Sequence, residues 1–108
     1  MKKKLFYVLD ENDNPVATED YLKWSEFFSS INNRSFGYTQ LEGNVTVSTI
    51  FMGIDYSFGL VEKNPILFET MVFGGPLNGK IKRYSSKDDA KKGHAAIVEE
   101  IRNHEEEE

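Results

Sequence analysis

An α+β fold, a two-layer sandwich in which a mostly antiparallel sheet of about five strands carries two helices on one face, is predicted by three features of this 108-residue sequence. Two apolar, β-branched runs, VTVSTIFMG from Val45 and PILFETMVFGG from Pro65, flank a loop holding Asp55, Tyr56 and Phe58. Turn signals at Glu42-Gly43-Asn44 and Asn78-Gly79 separate strand-like runs. Segments with apolar residues at helical spacing stand before and after this block. The predicted order is β-α-β-β-β-β-α.

The elements follow from local chemistry. Residues 4–9 favour β structure, and Glu11-Asn12-Asp13-Asn14-Pro15 turns the chain. Thr18, with Glu19 and Asp20 behind it, is a helix start, because its hydroxyl can accept from a free amide and acids favour the positive end of the helix dipole. Tyr21, Trp24, Phe27, Phe28 and Ile31 then form an aromatic stripe suited to covering a sheet, and Asn32-Asn33 ends the helix. Residues 34–41 and 45–52 read as a hairpin. In its second strand Val45, Val47, Thr49 and Phe51 share one face, and Thr46, Ser48, Ile50 and Met52 the other. Neither face is strongly polar, which predicts a central strand with a helix on one side and at least partial cover on the other.

Pro65 opens a strand from Ile66 to Phe73, which Gly74-Gly75-Pro76 terminates. Lys80 to Tyr84 makes a short strand. Ser85 or Ser86 caps the last helix, with Asp88 and Asp89 in its first turn and Ala90, His94, Ile97 and Ile101 on one face. Residues 1–104 are expected to form one domain, and Glu105–Glu108 a solvated acidic tail.

Composition narrows the function classes. Without cysteine there is no disulfide framework, thiolate metal site or cysteine nucleophile, which suits a reducing cytoplasm. The basic N-terminus lacks the roughly 7–15 apolar residues of a signal peptide, and no run approaches the roughly 18 of a membrane span. A net charge of −5 argues against binding nucleic-acid phosphates, although Lys80, Lys82, Arg83, Lys87, Lys91 and Lys92 concentrate positive charge in one segment. No phosphate loop, HExxH, GxSxG or CxxC motif is present, and no cofactor or resident metal is expected.

Five residues are candidates for a polar pocket. His94 shares the inward helix face and needs partners for a donor and an acceptor, as a core residue or as a base or ligand at a pocket margin. Gly93 beside it would let the helix approach the sheet closely. Glu69 lies on a strand face with Leu67, Met71 and Phe73, so it must pair or reach solvent, and Arg83 on the adjoining strand is the natural partner. Asp55 sits in a strand-end loop, and Tyr84 follows Arg83. Convergence of Asp55, Glu69 and His94 would create a divalent-ion site. A small enzyme, or a small-ligand or nucleotide-binding protein, would need these residues to meet.

The segments STIFMGIDYSFG at Ser48, PILFETMVFGG at Pro65, Arg83-Tyr84-Ser85-Ser86 with Ala90 and Gly93-His94, and the opening YVLDENDNPV resemble a family of small uncharacterised bacteriophage and prophage proteins. Where that pattern has a histidine after the loop aspartate, this chain has Tyr56. The resemblance implies a phage accessory protein in the bacterial cytoplasm, a class that often binds host machinery, including defence systems such as CRISPR effectors. The leading expectation is therefore a non-enzymatic protein-binding module with a host partner, docking near Tyr38, Phe51 and Phe58. Self-association into a dimer would also account for the second apolar face.

Overall fold

The computed structural model describes residues 6–30, 34–55 and 64–106. The chain is α+β, with the order β1 (Phe6–Leu9), β2 (Pro15–Thr18), α1 (Tyr21–Phe28), β3 (Ser35–Leu41), β4 (Val45–Phe51), β5 (Phe68–Phe73), β6 (Ile81–Tyr84) and α2 (Lys87–Glu106). The strands form two antiparallel sheets, a β1-β2 hairpin and a four-stranded sheet ordered β3-β4-β5-β6. The expected single five-stranded sheet is thus divided, and an eighth element, β2, occupies residues read as turn and helix start.

The division has a local cause. Gly53 follows β4 with φ +75, a left-handed conformation that ends a ladder. Beyond it the N-terminal strand meets β4's extension through the Tyr7 N–H on the Gly53 carbonyl at 2.9 Å and a bridge between Phe6 and Ile54 rather than through a ladder. Asp13, at φ +61, turns the chain back so that β1 pairs with β2 instead. Thr18 is then a strand residue, and the cap of α1 is Asp20, whose carboxylate accepts from the Lys23 N–H at 3.0 Å. The predicted continuation of that helix through Ile31 to Asn33 lies outside the described residues.

The helices also part company. α1 packs on β1 through Trp24, whose ring lies 4.8 Å from that of Phe6, and Trp24 Nε1 donates to the Gly53 carbonyl at 2.8 Å. It reaches the larger sheet's cluster through Phe27, edge-on to Phe51. α2 covers the four-stranded sheet: Ile97, Val98 and Ile101 pack on Val45, Val47 and Val72, and Ala90 joins Phe51, Leu67, Phe68 and Tyr84. Its cap is Ser86, whose hydroxyl accepts from the Asp89 N–H. The helix runs on to Glu106, into the acidic run that closes the sequence.

Register sorts every strand residue to one side. Ser48 pairs with Tyr38 and Met71, and Met71 with Ile81; Thr49 pairs with Gly37 and Thr70, and Thr70 with Lys82. Because alternate residues face opposite ways, Thr49, Thr70 and Tyr84 lie under α2 and Tyr38, Ser48, Met71 and Ile81 lie on the opposite face. Burial agrees, alternating buried and half-buried along β4.

Candidate functional site

The polar residues under α2 form one continuous hydrogen-bonded chain. The Tyr84 hydroxyl donates to Thr70 Oγ1 at 3.1 Å, Thr70 and Thr49 share a bond at 2.5 Å, and Thr49 Oγ1 lies 2.7 Å from His94 Nδ1. On its other side His94 Nε2 lies 2.8 Å from Thr39 Oγ1. Two glycines make room for this chain. A β-carbon on Gly37 would lie 2.8 Å from His94 Nδ1, and one on Gly93 would lie 2.2 Å from Tyr84 Cε1 and the Tyr84 hydroxyl oxygen. The close helix approach expected at Gly93 is therefore real, and the group it admits is Tyr84.

The chain satisfies a neutral imidazole. One ring nitrogen must donate and the other accept, and hydroxyls on both sides serve either tautomer. Burial holds the His94 pKa below its ordinary value. Protonation would turn both ring nitrogens into donors, so Thr39 and Thr49 would both have to accept beside a desolvated charge. Because the folded-state pKa is depressed, His94's contribution to stability is complete above the unfolded value of about 6.5 and is lost as pH falls below it. The urea midpoint is expected to drop between about pH 7.5 and 5.5 more in the wild type than in His94→Gln. An equal drop in both would remove His94 as the cause.

This arrangement does not support nucleophilic or acid–base catalysis. Thr49 and Thr70 are 0% exposed, so neither hydroxyl can meet a substrate, and both His94 nitrogens are engaged. Thr39, Thr49 and Thr70 are the members that sequence reasoning missed. Their signal was present: Thr49 falls among inward valines, and Thr70 among inward apolar residues, opposite the helix face carrying His94.

The other candidate residues lie elsewhere. Glu69 faces away from α2 and takes Arg83 Nε at 3.0 Å, the cross-strand pairing the sequence suggested. Asp55 is buried and accepts from the Ile66 N–H at 3.0 Å, tying the chain down just before β5. Together with burial, the larger effect, its charge raises the pKa of Tyr7. Asp55, Glu69 and His94 do not converge, and among the described residues no three His, Asp or Glu side chains are placed to hold a metal ion. Arg83 and Tyr84 do line an open groove of about 540 Å³ between β6 and α2, without His94, Glu69 or Asp55.

Among the described residues no helix packs on the face away from α2. Across it run Tyr38, Ser48, Met71 and Ile81 in register, flanked by Gln40, Thr46 and Phe73 on one side and Ile50, Glu69 and Arg83 on the other. Tyr38, Phe73 and Ile81 are 63%, 49% and 47% exposed. Of the predicted interface residues, Tyr38 belongs to this face. Phe51 does not: it is 0% exposed on the α2 side, edge-on to Phe27 and tilted against Phe68. Phe58 lies outside the described residues. Among those residues no helix is long and apolar enough to cross a membrane. The chain matches no protein-family model, no curated protein and no solved structure.

Proposed function

We propose that the protein is a non-enzymatic binding module that docks another protein on the open face of its four-stranded sheet. The observation that carries this reading is the in-register row Tyr38-Ser48-Met71-Ile81, with Ile50 and Phe73 beside it, on a face that no described helix covers, opposite one that is packed. Such a row combines aromatic and flexible apolar side chains of the kind enriched at interface centres. Glu69 on this face is already paired with Arg83, so covering the face does not strand that carboxylate. The likeness of the sequence to phage accessory proteins favours a host protein as the partner, with defence machinery such as a CRISPR effector in view.

Met71→Glu is the test. Half-buried Met71 lies at the middle of the row, so a carboxylate there opposes docking while the α2 side of the sheet keeps its packing. Protein captured from bacterial lysate by the wild type is expected to be lost by at least tenfold with Met71→Glu, at unchanged helical content. Light scattering on both forms distinguishes a second copy from a host protein as the occupant. Equal capture by both forms, with the wild type monomeric, would sink the reading.

A further inference from the structure

The basic segment of the sequence is unevenly neutralised. Lys80 is bonded to Glu100 at 3.0 Å, Arg83 to Glu69, and Lys87 Nζ to the Asn12 carbonyl at 2.8 Å. Lys82 and Lys92 differ. Among the described residues neither makes a hydrogen bond or an ion pair, and Lys82 Nζ stands 5.9 Å from the centre of the Tyr84 ring. Both are exposed, and both line the groove between β6 and α2, one from each wall. One carboxylate, Asp89, lines it with them. With Arg83 balanced by Glu69, the groove keeps a positive excess in a chain whose net charge is −5.

We propose that this groove binds a small phosphate ester, its phosphate held between the ammonium groups of Lys82 and Lys92. Lysine binds phosphate as a point charge with three donors, and two from opposing walls fix an anion between them. The volume of about 540 Å³ falls within the roughly 300–1,000 Å³ of small-molecule sites and exceeds what a bare phosphate fills. Ile66, Ala96 and the Tyr84 ring supply apolar wall for the organic part. The groove shares Arg83 with the open sheet face, but Lys82 and Lys92 lie outside that face, so either can fail without the other.

The test is a titration of the isotope-labelled full chain with adenosine monophosphate, inorganic phosphate and adenosine, followed through the amide signals of Ser85, Gly93 and Ala96. Saturable shifts are expected with the monophosphate, weaker ones at the same amides with phosphate, and none with adenosine. The double variant Lys82→Glu/Lys92→Glu, altered only at exposed positions, is expected to weaken the monophosphate at least tenfold. Asp89→Asn is expected to tighten it severalfold, because the groove loses its opposing charge. The proposal is overturned by no saturable shift up to about 10 mM, an affinity too weak to be specific. Undiminished binding by the double variant, or adenosine binding as well as its monophosphate, would also overturn it.

Discussion

Gly93→Ala is expected to destabilise the fold by about 1 to 2 kcal/mol, the roughly 2 to 3 kcal/mol cost of overpacking a full core less the roughly 1 kcal/mol that alanine gains over glycine in a helix. The added methyl would fall 2.2 Å from Tyr84, well inside contact distance. The ring has little room to yield, since Tyr84 is 7% exposed and its hydroxyl is bonded to Thr70. Either α2 lifts from the sheet, opening its contacts with Val47 and Val72, or Tyr84 leaves its place and Thr70 loses a donor. Urea unfolding measures the loss. Tyr84→Leu, which shortens the opposing side chain, is expected to recover part of it in the double variant, giving a favourable coupling. Wild-type stability in Gly93→Ala would mean that the helix does not sit this close.

Much of this architecture was legible in the residues. The β3-β4 hairpin, the β5 and β6 strands and the inward face of α2 follow from period, turn residues and caps, and Gly43 and Asn44 hold the positive φ their turn requires. What escaped was decided by backbone conformation and pairing choice. Positive φ at Asp13 makes Pro15–Thr18 a partner for β1, and positive φ at Gly53 stops β4 from pairing further. The sequence does mark a turn around Asp13, but neither residue says which strand the chain then pairs with. The candidate pocket came apart for a reason the sequence did contain: Glu69 and Thr70 are neighbours on one strand, so only one of them can face His94. The charge went to the open side and to Arg83, and the hydroxyl went inward.

Thr49→Val is the second large effect, expected to cost about 2 to 3 kcal/mol. Valine matches threonine in shape, so little cavity forms. The loss is that of a hydroxyl joining Thr70 to His94 at a fully buried position, which leaves His94 Nδ1 and one side of Thr70 without a partner. Thr49→Val/Thr70→Val is expected to cost less than the sum of the single changes, because removing both hydroxyls leaves fewer orphaned groups. Calorimetric melting of the four proteins checks this, and strict additivity would show that the threonines act separately.

On the proposed reading, stability is carried by the polar chain under α2 and binding by the open face opposite. The most direct measurement is the affinity of the captured partner, per folded molecule, for Met71→Glu and Thr49→Val side by side with their melting temperatures. Met71→Glu is predicted to melt like the wild type and lose the partner by at least tenfold, while Thr49→Val melts lower and binds unchanged. A Thr49→Val that keeps its melting temperature but loses the partner, beside a Met71→Glu that still binds, would contradict it.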